Sequence, residues 1–116
     1  MKILDELKTL LEVDVEETIF DSQLLLYVNS GIGYLANNGI PASRIDENAT
    51  KESFVFMAES DYAVLLSWLH LYCLQRFDRT LMTQGSQTTL NWIDSEMTNL
   101  LYQLKVKYDR SDLNEV

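Results

Sequence analysis

The sequence has little of the chemistry that disulfides and metal sites require. It contains one cysteine, Cys73, and one histidine, His70. A lone cysteine forms no internal disulfide and points only weakly to a reducing, cytosolic compartment. A structural zinc site needs several Cys or His ligands, and a ferritin-like site in a helix bundle needs Glu-x-x-His pairs. We therefore predict no metal and no cofactor.

Positive charge is also scarce. Nine Lys and Arg residues stand against 18 Asp and Glu residues, which gives a formal net charge of −9. A protein that grips nucleic acid by its phosphates must supply cations, so this balance argues against ordinary DNA or RNA binding. An acidic protein close to DNA would instead imitate the DNA or repel it.

Linkers, repeats and membrane-length apolar runs are missing as well. One proline and four glycines do not make a linker. The N-terminal stretch MKILDELKTL mixes acids with its apolar residues and is not expected to be a signal peptide. The most apolar stretch, Tyr62 to Gln75, is too short to span a bilayer. We expect no membrane association.

What the chain does contain is helical periodicity, strongest in that apolar stretch, YAVLLSWLHLYCLQ. Its apolar residues cover nearly the whole helical cylinder, which is typical of a buried helix. Ser60 or Asp61 is the expected N-cap. Other segments must surround this helix, because it cannot face water.

Two helices are predicted before the central one. A short amphipathic helix covers Lys2 to Leu11, with Lys8 on its polar side. A long second helix runs from about Val15 to Asn37, with Asp14 as N-cap and Glu17 completing a capping box. Its predicted apolar ridge consists of Phe20, Leu24, Tyr27, Val28, Ile32 and Leu35. Asn38 and Gly39, followed by Pro41, are expected to end it.

The rest of the chain completes an all-α prediction: a small bundle of three long helices plus a short N-terminal helix. A polar loop, Ala42 to Ser53, lies between helices 2 and 3 and has room for one helical turn. Phe54 to Met57 fits a strand or a lead-in to the central helix equally well. Thr83 to Thr88 is a predicted loop. The last helix starts near Thr89, and its apolar face is Leu90, Ile93, Met97, Leu100, Leu101, Leu104 and Tyr108.

We predict one domain, residues 1–108, followed by a flexible tail, residues 109–116.

No catalytic constellation is found in the sequence, and we predict that the protein is not an enzyme. His70 and Cys73 lie one helical turn apart, but an apolar helix favours a core-edge histidine bonded to a carbonyl or to Ser67, and an inert cysteine. The GIG sequence at 31–33 lacks the spacing of a phosphate-binding loop.

Charge is unevenly distributed between the two ends of the chain. Residues 1–21 hold seven acids and only two lysines, whereas Lys105, Lys107 and Arg110 lie close together near the C-terminus. Opposite poles on one subunit favour head-to-tail contacts that close into rings. Ordinary surface charge that segregated by chance explains the pattern equally well.

Four segments resemble the head-tail connector, or adaptor, family of tailed bacteriophages and prophages. They are LDELKTLLEV, YLANNGIP, AVLLSWLHLYCLQRFDR and LNWIDSEMTNLLYQLKVKYD, the last containing the family's QL[KR]-x-[KR]-Y ending. The resemblance covers nearly the whole chain. The third segment departs from many relatives, whose helix ends in a more polar sequence, so the contacts of Tyr72 and Arg76 are not carried over.

This resemblance implies a structural protein of the virion. Such proteins form a ring beneath the portal, extend the DNA channel and carry the next connector, stopper or tail protein. The expected partners are other copies of the chain, the portal and that next protein, with DNA passing but not specifically bound. The expected location is the head-tail interface of the virion, and the host cytoplasm during assembly.

Candidate residues follow from this expectation and from exposure. The small and uncharged residues Ser30, Gly31, Gly33 and Tyr34 are the candidate subunit interface, although the same face could pack on the central helix. The candidate docking loop and tail contain Arg44, Asp46, Glu47, Tyr108 and Arg110. The candidate channel-facing acids are Glu12, Glu16 and Glu17.

One alternative from another class stays open. A small acidic regulator, or a DNA mimic, would bind a basic protein by charge. A mimic needs carboxylates spaced like phosphates over an exposed face, whereas Ser22 to Ser43 carries no charge at all.

Overall fold

Four α-helices make up the fold in the computed structural model, which describes residues 1–54, 57–77 and 87–108. They are α1 (Ile3–Leu10), α2 (Asp21–Asn37), α3 (Glu59–Phe77) and α4 (Gln87–Tyr108), with one 3₁₀ turn at Lys51–Ser53. No strand occurs in the described ranges, where the only β-type pairing is an isolated bridge between Lys2 and Thr50. The predicted all-α class, with three long helices and one short one, is confirmed.

The central helix α3 is the element on which α1, α2 and α4 all pack. Leu65 and Cys73 are fully buried, and Trp68 and Leu69 are nearly so. Burial of each large apolar side chain contributes about 1.5–3 kcal/mol, so this helix supplies much of the folding free energy. The predicted cap is wrong: Asp61 lies inside α3, and the Asp61 and Tyr62 amides both donate to the Ala58 carbonyl.

The predicted apolar face of α1, which is Ile3, Leu4, Leu7, Leu10 and Leu11, is confirmed only in part. Ile3, Leu4 and Leu7 are buried, whereas Leu10, at the end of the helix, is 42% exposed. Its end is a Schellman motif, in which the Glu12 and Val13 amides donate to the carbonyls of Thr9 and Lys8. Glu12 takes the left-handed conformation that this motif requires, with φ of 63°.

Helix α2 begins at Asp21 and not at Val15, so the predicted Asp14 cap and Glu17 capping box are wrong. Local bonds divert the backbone of this acidic segment into turns. The Glu16 amide donates to the Asp14 carboxylate and the Ile19 amide to the Glu17 carboxylate. As a result Phe20 lies before the helix and is 46% exposed instead of extending the ridge.

The remainder of the α2 prediction is confirmed. Leu24, Val28, Ile32 and Leu35 are buried. A second Schellman motif ends the helix at Asn37, with Gly39 at φ 87°. The Ile40 amide donates to the Leu35 carbonyl over 3.1 Å, and both of these side chains are buried. The backbone bond and the burial of both side chains fix the direction in which the chain leaves α2.

The loop between α2 and α3 was predicted to be polar and exposed, and the structure confirms this only in part. Ala42 and Ile45 are buried, and the Ile3 amide donates to the Ala49 carbonyl over 2.9 Å. The loop therefore covers the start of α1. The predicted helical turn is the 3₁₀ turn at Lys51–Ser53. Phe54 is buried without regular structure, and two of the four residues in the undecided 54–57 segment lie outside the described ranges.

Helix α4 begins at Gln87, so two residues of the predicted 83–88 loop are helical, and residues 83–86 lie outside the described ranges. Ile93, Leu100 and Leu104 of its predicted apolar face are buried, and Met97, Leu101 and Tyr108 are partly buried. The tail, residues 109–116, lies outside the described ranges. The single domain at 1–108 stays a prediction.

Candidate interaction surfaces

Helices α2 and α3 meet at Gly31, one of the four residues of the candidate subunit interface. A Cβ at this position would lie 3.1 Å from Trp68 and 3.1 Å from Tyr72, so the glycine allows α2 and α3 to approach more closely than a larger residue would without a shift of these rings. The Ser30 hydroxyl lies 2.8 Å from the Tyr72 hydroxyl. Ser30 and Gly31 thus both contact the central helix of their own chain.

Aromatic rings continue from this seam as a stack. Tyr34 lies over Trp68 with centroids 5.7 Å apart, and Trp68 over Tyr72 with centroids 5.1 Å apart. The Arg76 guanidinium carbon lies 3.5 Å from the centroid of the Tyr72 ring, a cation–π arrangement. The same guanidinium donates to the Tyr72 carbonyl over 3.2 Å. A side chain at the surface is thereby held in one orientation.

The stack lines one side of an open cavity of about 340 Å³ between α2 and α4. Its other side comes from α4, where Asp94 accepts a hydrogen bond from the Gln75 amide over 3.1 Å. The cavity combines aromatic faces with one cation and one carboxylate.

A second open groove, of about 390 Å³, runs along the side of α2 that faces away from α3. We call it the α2 groove. Its floor is at Gly33, where an added Cβ would meet nothing within 4 Å. It is lined by Leu26, Asn29, Ser30, Ile32, Gly33, Ala36, Ala42 and Arg44. Of the candidate interface residues, Gly33 lies in this groove and faces outward. Tyr34, at the end of the aromatic stack, is 50% exposed.

The candidate docking loop is held in place by one α2 side chain. The Asn29 side chain donates to the Ile45 carbonyl over 3.0 Å and accepts from the Ile45 amide over 2.8 Å. Arg44, Asp46 and Glu47 are exposed around this clamp. They form a preformed surface on the loop.

The three candidate channel-facing acids lie on the turn-rich segment between α1 and α2, and Glu12, Glu16 and Glu17 are all exposed. The segment is anchored by Lys8, which is only 2% exposed although the sequence placed it on the polar side of α1. The Lys8 ammonium donates to the carbonyls of Val15 and Glu17, and lies 2.5 Å from the Asp21 carboxylate. These partners offset the cost of burying a charge.

The remaining candidate residues lie at the end of α4. Tyr108 donates to Asp61 over 2.7 Å, and Lys107 donates to the same carboxylate over 2.6 Å. The hydrogen bond from Lys107, and then that from Tyr108, lowers the pKa of Asp61. Lys107 is thus engaged within its own chain, which weakens the predicted basic pole. Arg110 lies outside the described ranges.

Comparison with known families decides what kind of protein carries these surfaces. The sequence model of the phage connector proteins matches residues 3–111. The chain belongs to the phage connector protein family. Neither curated proteins nor solved structures gave a match to it. The connector is therefore a structural protein of the phage head-tail region, and the resemblance seen in its sequence is confirmed.

The two reactive side chains of α3 do not form a site in the connector. Cys73 is fully buried, and burial raises the pKa of its thiol to about 12, so it carries no thiolate near neutral pH. Burial lowers the pKa of His70, which hydrogen-bonds the Leu10 backbone. Both agree with the predicted core roles.

Across the part of the connector that the structure describes, no three His, Cys, Asp or Glu side chains are grouped to hold a metal ion. No helix within those same residues is both long and apolar enough to cross a membrane.

Proposed function

We propose that the connector assembles as a ring beneath the portal, extends the DNA channel, and joins the phage head to its tail. The observation that carries this proposal is the family match across residues 3–111, nearly the entire chain. In this role the protein performs no catalysis. It is located in the virion, after assembly in the host cytoplasm.

Uncharged helical surfaces support the assembly part of the proposal. The α2 groove opens at Gly33, and Tyr34 and Leu26 are 50% and 64% exposed. Apolar surface of this kind on a soluble subunit is a common mark of a protein interface. We propose Gly33 and Tyr34 as the outward part of the subunit interface, with Ser30 and Gly31 shaping it through their contacts with α3.

Negative charge supports the channel part. The formal charge of −9 on each copy accumulates in a ring. We propose that Glu12, Glu16 and Glu17 face the channel, where carboxylates repel the DNA phosphates and let the DNA slide. The Lys8 anchor would keep these acids at a fixed position while DNA passes.

Docking to the neighbouring proteins is assigned to two segments. We propose that Arg44, Asp46 and Glu47, held by the Asn29 clamp, contact one neighbour as a preformed surface. The tail after Tyr108, which includes Arg110, would contact another. Removal of residues 109–116 should leave the helical domain folded, because Tyr108 and its bond to Asp61 remain, but should abolish docking.

Negative-stain microscopy of portal rings, alone and mixed with the connector, tests this function. Portal mixed with the connector should show an added layer of density on one face, and portal alone should not. The truncated chain, residues 1–108, serves as the matched sample that folds but does not dock. Portal particles that look the same with and without the full chain would contradict the proposal.

The acidic regulator or DNA mimic receives less support from the structure. The exposed acids of the 12–17 segment alternate with apolar residues, and Val15 and Ile19 are 38% and 76% exposed. A phosphate mimic has no need of exposed aliphatic side chains between its carboxylates. Salt-sensitive binding to a basic nucleic-acid protein, without any binding to portal, would revive this alternative.

A further inference from the structure

Helix α4 carries a bulky stripe on the side that faces away from α3. We call it the α4 ridge: Trp92, Ser95, Asn99, Tyr102 and Val106. At 100° per residue these positions lie opposite the buried Ile93, Leu100 and Leu104. Trp92 is 60% exposed, Tyr102 69% and Val106 48%. The positions follow the alternating three- and four-residue spacing by which one helix packs along another.

The α2 groove is the complement of the α4 ridge in size. The groove is open above Gly33, with small residues such as Ala36 and Ala42 along its sides. Its volume of about 390 Å³ admits one large aromatic side chain with room to spare. Exposed bulky side chains on one helix and an open groove along another are the two elements that ridges-into-grooves packing requires.

Charge on the two surfaces is also complementary. None of the five ridge residues is ionisable at neutral pH, and the groove is uncharged except for Arg44 at its edge. Glu96, which is partly exposed, lies beside the ridge, whereas Asp94 faces the aromatic cavity and is bonded to Gln75. A second copy of this chain therefore offers a carboxylate beside its ridge to a guanidinium beside the groove.

We propose that the α4 ridge of one subunit packs into the α2 groove of the next, with Trp92 or Tyr102 inserted above Gly33. This inference rests on the proposed ring and names the two surfaces that would hold it together. The contact is heterologous, because it joins different surfaces on the two copies. Ridge against ridge would instead place bulky side chains on each other and leave the groove empty.

Single-cysteine variants test the pairing directly. Gly33→Cys and Tyr102→Cys are prepared separately and mixed with portal under mild oxidation, and Cys73 stays in place because it is buried. A disulfide-linked dimer is expected only when both variants are present together. A chain that carries both substitutions should give a ladder of linked multimers. If the Gly33→Cys chain alone or the Tyr102→Cys chain alone gives as much linked dimer as the mixture, the heterologous pairing is wrong.

Blocking variants give a second readout that does not need a disulfide. Gly33→Gln fills the groove. Trp92→Ser combined with Tyr102→Glu removes the ridge. Ser67→Gln, at an exposed position on α3 outside both surfaces, is the control. Each blocked chain, tested alone with portal, should remain monomeric and form no larger connector assembly. Their mixture should form heterodimers, because one intact surface remains on each chain. Thermal unfolding of each variant separates this result from misfolding.

The outcomes separate this inference from the proposed function. If microscopy shows rings on portal but neither the mixed-cysteine dimer nor the loss in the blocked chains is seen, the ring uses other surfaces and this pairing is wrong. If no ring forms with the unmodified chain, the proposed function is wrong and the pairing falls with it. Rings together with linkage only in the mixture support both.

Discussion

The Lys107 ammonium, at the end of α4, lies 2.6 Å from the Asp61 carboxylate in the first turn of α3. The other oxygen of that carboxylate accepts a hydrogen bond from the Tyr108 hydroxyl over 2.7 Å. Asp61 is 6% exposed. One buried carboxylate therefore ties the last two residues of α4 to the start of the central helix and fixes the point from which the tail leaves.

Replacement of Asp61 should loosen the end of α4. Asp61→Asn keeps the shape of the side chain but removes the charge that strengthens both hydrogen bonds. We expect a loss of about 1–2 kcal/mol in the free energy of unfolding, at the lower end for charged hydrogen bonds because the Lys107 side chain is half exposed. Urea denaturation at neutral pH measures it. Glu59→Gln, at an exposed ion pair with Lys51, should have no measurable effect.

The same carboxylate predicts how stability depends on pH. Hydrogen bonds from its two donors lower the pKa of Asp61 below the usual 3.8. Its contribution to the free energy of unfolding is therefore present above pH 3.8 and is lost as the pH falls through the lowered pKa. The difference in unfolding free energy between wild type and Asp61→Asn should stay constant from neutral pH down to about 3.8 and shrink below it. A difference that grows as the solution is acidified would contradict this.

The left-handed conformation of Glu12 offers a stabilising substitution. A non-glycine residue at φ 63° is strained by its Cβ, and the Glu12 carboxylate also lies at the negative end of the α1 dipole. Glu12→Gly should raise the free energy of unfolding by roughly 0.5–1 kcal/mol, after the added freedom of the unfolded chain is subtracted.

Glu12→Gln serves as the control for this substitution, because it removes the charge but keeps the Cβ. Thermal unfolding of the two variants should place the glycine variant higher. If both variants melt at the same temperature, the charge and not the backbone conformation would be the source of any gain.

Two glycines two positions apart on α2 should respond differently to the same substitution. Gly33→Ala enters open space and gains about 1 kcal/mol of helix propensity. Gly31→Ala gains the same propensity but places its methyl group 3.1 Å from Trp68 and from Tyr72, where overpacking costs roughly 1–3 kcal/mol. The Gly33 variant should therefore be the more stable of the pair in chemical denaturation. The reverse order would show that α2 and α3 are less tightly packed than described.

Loss of the Lys8 anchor should release the acidic segment. Lys8→Met removes the ammonium that bonds the Val15 and Glu17 carbonyls and leaves Asp21 without its partner. We expect a loss of about 2–4 kcal/mol, below the full cost of breaking a buried pair, because Asp21 is partly exposed. Amide exchange should accelerate in residues 13–20. Lys2→Met, at an exposed lysine, is the control, and equal effects of the two would contradict a buried anchor.

The sequence allowed the prediction of helices whose ends and faces are set by local chemistry. Gly39 is a strong helix-ending signal because it takes positive φ at no cost, and the end of α2 was predicted correctly. The central helix was predicted from its nearly complete apolar surface. Such features depend only on residues within one or two turns, which a sequence displays directly.

Features made by contacts between distant residues were missed. Asp14 and Glu17 carry a capping signature, but Lys8 binds the backbone oxygens of that segment and α2 starts later. Asp61 looked like a cap, although its partners are 46 and 47 residues away. Both misses involve a charged residue, Lys8 or Asp61, that the fold buries and that therefore needs a partner. Which partner it has depends on the packing of the helices.

The candidate surfaces were likewise predicted from the sequence only in part. Small residues on α2 predicted a close approach, and Gly31 makes one with α3, but the sequence could not say that Gly33 faces the other way. The α4 ridge passed unnoticed because the prediction dealt only with the apolar face of the last helix, which does not include Trp92 and Tyr102, and made no statement about the opposite face. Exposure of both side chains appears only once α4 is packed on α3.

Native mass measurement of portal mixed with the connector tests the central claim most directly. Each chain has a mass of 13.4 kDa. The account predicts a single dominant species, heavier than portal alone by a fixed integer multiple of that mass, with no series of partial occupancies at saturation. A portal mass that does not change, with the connector detected only as a free 13.4 kDa monomer, would contradict it.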